Sequence, residues 1–185
     1  RPARSVDAGE AQLVRARQLQ VQLGTSVNLG GQRVVKEGVL RRVTRKGLQE
    51  CRFVLTNERL LALVAKGNSL EAVYDEPLAA LRLENYESPR DPSAFAIMSG
   101  DESFGVEAIN AAEPAAAWRA EIDTARRADG ELQKLSMRVL TAGFTGTCAP
   151  LQRLESEVPR CENCGGSFGM IVKSRHQCRR CGKVV

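Results

Sequence analysis

The sequence is short of the groups on which most enzyme chemistry depends. It contains one histidine, His176, in 185 residues. No nucleophile–base pair, phosphate-cradling glycine loop or pair of catalytic carboxylates stands out, so no enzyme active site is expected within these residues. Long apolar runs are also missing: nowhere do eighteen apolar residues follow one another, so no helix is expected to span a bilayer. The opening stretch, RPARSVDAGE, lacks the apolar core of a signal peptide. It also lacks a methionine, and it reads as the interior of a longer chain.

What is present fits a soluble globular protein, with 43% hydrophobic and 26% charged residues. A chain of 185 residues holds one ordinary domain plus a small module, or two small domains. The net charge of +5 is concentrated in two places. Residues 36–52, with Arg41, Arg42, Arg45, Lys46 and Arg52, carry a net +4, and residues 156–185 carry another +4. The remainder is therefore slightly acidic, and two basic patches on such a body point to anionic partners.

Helical periodicity covers residues 8–23, AGEAQLVRARQLQVQL, with Leu13, Ala16, Leu19, Leu23 and also Val14 and Val21 at helical intervals, and Gly24 as the stop. One amphipathic helix cannot bury itself, so it needs an upstream or downstream partner. From Gln32 the pattern changes to six or seven short strands in under eighty residues: VVKEGVLRRV, CRFVLTNERLLALV, LEAVYD, LAALRLENY, AFAIMS and FGVEAI. Turn residues at 45–47, 66–68, 87–92 and 99–101 separate them. This predicts a mainly-β fold, a small antiparallel sandwich or barrel. A helix follows in NAAEPAAAWRAEIDTARRADG, with Trp118, Ile122 and Ala125 on one apolar face, Pro114 in its first turn and Gly130 just past its end. Trp118 is expected to be core, with the helix plugging one end of the barrel. Residues 131–155 show no sustained period and read as a linker with a helical start.

Six cysteines stand at 51, 148, 161, 164, 178 and 181. Cys51 and Cys148 read as plain thiols. The other four form two C-x-x-C pairs thirteen residues apart. A tight turn lets two thiolates reach one ion, and two such pairs satisfy tetrahedral zinc, so Cys161, Cys164, Cys178 and Cys181 are expected zinc ligands. By themselves they describe one four-thiolate site.

Two family resemblances follow. Residues 34–128, through EGVLRRVTRKG, RFVLTNERLLAL and AAAWRAEI, resemble a pleckstrin-homology (PH) domain: seven strands closed by one C-terminal helix with a buried Trp. The stretch QLGTSVNLGGQRVVKEGVL is similar to the junction between a Dbl-homology exchange domain and its PH domain. The string PRCENCGGSFGMIVKSRHQCRRCGKVV resembles the first half of a FYVE zinc finger, and the chain ends where the family's fifth cysteine would stand. The order exchange domain, PH, FYVE is that of the faciogenital dysplasia family of Rho exchange factors; PH–FYVE alone is that of the phafins. The organisation expected is thus 1–30, a helix ending an upstream Dbl-homology-like domain; 31–129, PH; 130–155, linker; 156–185, half a finger.

The FYVE resemblance implies two cross-braced zinc ions. Cys161 and Cys164 would supply half of one site, Cys178 and Cys181 half of the other, and the finger would be only partly metallated without its remaining cysteines. It also implies that Arg175, His176 and Arg179, with Lys173 beside them, meet phosphatidylinositol 3-phosphate, and that Met170, Ile171 and Val172 enter the bilayer. Ser174 and Gln177 replace basic residues of the family. Gln152 and Glu155 stand in place of its W-x-x-D motif, which removes groups that select the 3-phosphate. In phosphoinositide-binding PH domains the loop after the first strand holds the headgroup, and Arg42, Arg45 and Lys46 occupy that place here. Glu50 and Cys51 stand where that pattern has cations, so weak, salt-sensitive attraction is implied. The finger offers no stacking aromatic but Phe168, which argues against nucleic acid.

The function expected is phosphoinositide-dependent membrane recruitment in the cytoplasm, peripheral on endosomal or other phosphoinositide-bearing membranes. The alternative is the regulatory C-terminal part of a guanine-nucleotide exchange factor for a Rho-family GTPase, its catalytic domain upstream.

Overall fold

The computed structural model describes residues 4–24, 27–136, 148–163, 165–168 and 183–184. Helix α1 runs Arg4–Leu23, beginning four residues before the amphipathic period does. Gly24, with φ of 64°, ends it in the left-handed conformation that glycine adopts without strain. Then come β1 (Val34–Val43), β2 (Leu48–Thr56), β3 (Arg59–Lys66), β4 (Ser69–Pro77), β5 (Arg82–Asn85), β6 (Phe95–Met98), β7 (Ser103–Ala108), helix α2 (Ala115–Ser136) and β8 (Leu151–Gln152). Hydrogen-bonded neighbours follow the order β4-β3-β2-β1-β7-β6-β5, and β8 joins β7. The segment LAALRLENY is not one strand: Leu78–Ala80 form a 3-10 turn before β5.

The chain divides into two compact units, residues 1–40, 51–80 and 118–144, and residues 41–50, 81–117 and 145–185.

In the first unit, β2 and β3 pair with Val54 opposite Leu61 and Phe53 opposite Ala62. Partners directly across an antiparallel pair share a face. On one face Val54, Leu61 and Leu63 form a buried cluster with Ala16, Leu19 and Leu23 of α1 and with Val27, Leu29 and Val34 after it. On the other, Phe53 meets the edge of Trp118 at 6.2 Å between ring centroids. Because both faces are covered, β3 buries Leu60, Leu61, Ala62 and Leu63 in succession, without alternation. Each large side chain so buried contributes about 1.5–3 kcal/mol. Helix α1 therefore finds its partner in the strands that follow it.

A charged triad reinforces the same contact. Arg15 of α1 donates to Glu37 of β1 from Nε at 2.8 Å and from Nη2 at 2.9 Å, and Arg52 of β2 donates to the same carboxylate. Burial alone would raise the Glu37 pKa; the two arginines outweigh it and hold the carboxyl below its ordinary range.

In the second unit, β5, β6 and β7 form an antiparallel ladder. Gly105 in β7 lies under the Tyr86 ring, where a Cβ would come within 2.6 Å of it. Asp91 organises the loop before β6: its carboxylate accepts from the Ser93 N–H at 2.8 Å, the Ser93 hydroxyl at 2.6 Å and the Ala108 N–H at 2.7 Å. Ser93 Oγ in turn accepts the N–H of Ala115, the first residue of α2, at 3.0 Å. The helix cap thus comes from a distant loop.

Residues 130–155 are not merely a linker. Helix α2 continues to Ser136, and Leu151–Gln152 return as β8, parallel to Ser103–Phe104 of β7. Among the described residues, no helix is long and apolar enough to cross a membrane.

Candidate functional site

The loop joining β1 to β2 is closed by Thr44 and Gly47. The Thr44 N–H and hydroxyl donate to the Gly47 carbonyl at 2.9 and 2.7 Å, and the Gly47 N–H returns to Thr44 Oγ1 at 3.2 Å. This fixed turn carries Arg45 and the exposed Lys46 at its tip. Arg41 Nε lies 3.7 Å from Glu50, so the anion expected to weaken a headgroup pocket neutralises the nearest cation instead.

Arg42 is a correction to the sequence reading. It is not offered to a headgroup: strand alternation turns it inward, where 6% of its surface remains exposed. Its guanidinium pairs with Glu102 and lies over the Phe104 ring at 4.6 Å from the centroid. A buried cation needs such a partner, and this one ties β1 to the start of β7.

Glu102 also serves the segment leading to the cysteines. Gln152 Nε2 donates to Glu102 Oε1 at 2.5 Å, and the Ala149 N–H donates to the Ser99 carbonyl at 2.8 Å. Leu154 and Val158 are buried. Glu157 accepts from Arg90, which also grips the buried Glu107 through Nε at 3.1 Å and Nη2 at 2.8 Å. The Glu107 and Glu157 carboxylates hold the Arg90 pKa above its ordinary value. Nothing local signals this arrangement beyond Gln152 standing where FYVE fingers carry a tryptophan.

Cys161 begins a tight turn. Its N–H donates to the Gly166 carbonyl at 2.9 Å, its carbonyl accepts the Gly165 N–H at 2.8 Å, and Gly165 takes a φ of 72°. Its Sγ accepts the Asn163 N–H at 3.4 Å. This tight turn suits a cysteine that would act as a zinc ligand. Arg160 and Ser167 bridge across the turn. Glu162 ties Val184 to it: the Glu162 N–H donates to the Val184 carbonyl at 2.9 Å, and the Val184 N–H donates to Glu162 Oε2 at 2.6 Å.

Cys164, Cys178, Cys181, Lys173, Arg175, His176, Arg179, Met170, Ile171 and Val172 lie outside the described residues. Among the described residues no group of three or more His, Cys, Asp or Glu is placed to hold a metal. Cys51 is buried in β2 and Cys148 is half-buried.

No family profile and no curated protein matches the sequence. Solved structures do. The DH/PH domains of PDZ-RhoGEF, in complex with GTP-gamma-S activated RhoA, align with a TM-score of 0.55 and 15% identity over 65% of this chain and 41% of theirs. The linker-DH/PH domains of p115-RhoGEF give 0.53 and 19% over 65% and 41%. Vav1 bound to an allosteric inhibitor gives 0.53 and 15% over 63% and 33%. The chain thus spans about two fifths or less of these structures. At such identity the likeness is one of fold: the antiparallel strands followed by α2 form a PH-type domain.

Proposed function

We propose that this chain is the PH-bearing regulatory part of a Rho-family guanine-nucleotide exchange factor, with exchange chemistry supplied by a domain joined to the N-terminal end of α1. The observation that carries this reading is the packing of α1 on the outer face of β2 and β3, in a fold whose solved neighbours are DH/PH structures. Measuring nucleotide release from purified Rho-family GTPases by a chain extended N-terminally from Arg1 tests it. Accelerated release that falls on loss of the PH unit is expected; no acceleration of any Rho-family GTPase would overturn it.

Within that protein, the Arg45–Lys46 turn and the cysteine segment would supply membrane attraction, drawing the protein to phosphoinositide-bearing surfaces of the cytoplasm, endosomal ones among them. The fixed turn supports this by presenting cations on closed backbone rather than on a floppy loop. Cys161, Cys164, Cys178 and Cys181 are the residues that would hold zinc, which contributes folding free energy to so small a module. Arg175, His176 and Arg179 would meet the phosphate, with Lys173 alongside and Met170, Ile171 and Val172 entering the lipid. Sedimentation with vesicles containing or lacking phosphatidylinositol 3-phosphate tests the lipid half. Preference for the former, reduced by Arg175→Ala, is expected; equal binding to both would remove the selective-lipid claim.

A further inference from the structure

We propose that residues 149–158 form a latch that fixes the Cys161 turn to β7, that Glu102 is its clamp, and that it opens without unfolding the sheet.

The polar contacts of this segment make a continuous path. Arg42 of β1 and Gln152 of β8 converge on Glu102. Next to Gln152, Arg153 donates to Glu162 at 3.0 Å, and Glu162 holds Val184 through two backbone contacts. Further along, Glu157 reaches Arg90. The base of the β1–β2 turn and the Cys161 turn are thereby held in one unit.

The latch is built to be weaker than what it rests on. Its strand has two residues, against six in β7. Arg153 keeps 53% of its side chain exposed and Glu157 31%, so these ion pairs are screened. Among its described residues, Leu154 and Val158 are the buried apolar ones. Short pairing, few buried contacts and exposed hydrogen bonds mark the low end of local stability. A cleft of about 410 Å³ runs beside it, with Tyr86 and Glu87 on one wall and Leu151, Arg153 and Val158 on the other. The segment can therefore lift without pulling a packed layer apart.

The consequence rests on the membrane reading above. Docked, the latch holds the basic turn and the Cys161 turn in one arrangement. Open, it leaves two separate contacts joined by a tether, whose combination depends on effective concentration alone.

Amide hydrogen exchange on the intact chain decides the structural claim. In the parent, amides of 151–158 should exchange at least about tenfold more slowly than in an unstructured peptide, and faster than those of 52–55 and 60–63. Gln152→Ala with Glu157→Gln should restore near-peptide exchange in 151–158 and leave β2 and β3 unchanged. Both substitutions spare the Arg42–Glu102 and Arg90–Glu107 pairs. Peptide-rate exchange in the parent, unchanged protection in the variant, or loss of protection in latch and sheet together would each overturn the proposal. A second readout is the Tyr86 phenol, which burial first, then Glu157 and Glu107, push up against the opposing Arg90 and Arg153. In Ala149→Pro, which removes the donor to Ser99 but keeps Glu157, it should titrate closer to about 10. Vesicle binding by parent and variant then tests this consequence. If neither binds, the membrane reading fails while exchange still decides the latch.

Discussion

Arg42 and Gln152 meet on one carboxylate, that of Glu102. One is expected from sequence in a headgroup-binding loop, the other in a linker. Their shared partner makes both residues structural.

The first prediction concerns Arg42. Replacing it with Met leaves Glu102 without its buried guanidinium, which costs about 3–5 kcal/mol for a broken buried pair. Chemical denaturation should register that loss, while vesicle binding of the folded fraction stays unchanged. Full stability with lost lipid binding would return Arg42 to the headgroup site.

The second concerns acid. Glu37 titrates below its unfolded value, so its stabilisation is present above the unfolded pKa, about 4.3, and is lost as pH falls through the lower folded pKa. Glu37→Gln should lower stability at neutral pH by about 1–3 kcal/mol, since two charge-assisted partners lose their acceptor. Once the pH has fallen through the lowered folded-state value, parent and variant should converge. A constant difference across the whole range, followed by urea denaturation, would contradict the triad.

The third concerns Gly105. An added methyl would meet the Tyr86 ring at 2.6 Å, so Gly105→Ala should destabilise by about 1–3 kcal/mol. Combining it with Tyr86→Ala should cost less than the sum of the two single changes, measured as a double-mutant cycle. Simple additivity would show that the ring yields freely.

The fourth concerns zinc. Were the cysteines to follow the FYVE pairing that the resemblance implies, Cys161 and Cys164 would sit on a different ion from Cys178 and Cys181, and this chain should bind zinc weakly and give it up readily to a chelator. Metal content by mass spectrometry, with Cys161→Ser as reference, checks it. One zinc per chain, held tightly by all four thiolates, would favour a single four-cysteine site.

Much of the PH-type unit was legible because its signals are local. Period-two segments, turn residues such as Gly67 with φ of 61° and the Trp118 face depend on neighbours within a few residues. Trp118 is fully buried, as its helical face predicts. What could not be read depends on distant partners. Ser93 caps a helix that starts 22 residues later, and nothing near Ala115 announces it. The inward turn of Arg42 needs Glu102, whose place only pairing of β7 with the rest of the sheet fixes. β8 is two residues long and has no period to detect. For the cysteines, spacing carries the zinc expectation, and among the described residues the Cys161 turn adds geometry to it.

Helix α1 is twenty residues long, about 30 Å, with its C-terminal half bound to the sheet by Ala16, Leu19 and Leu23 and its middle gripped by Arg15. Bound so, it behaves as a lever. A tilt of about 10° at the bound half carries the far tip through several ångströms, by the rise of the helix alone. Whatever is joined to Arg4 would feel a small repacking around Leu19 and Val54 as a large displacement.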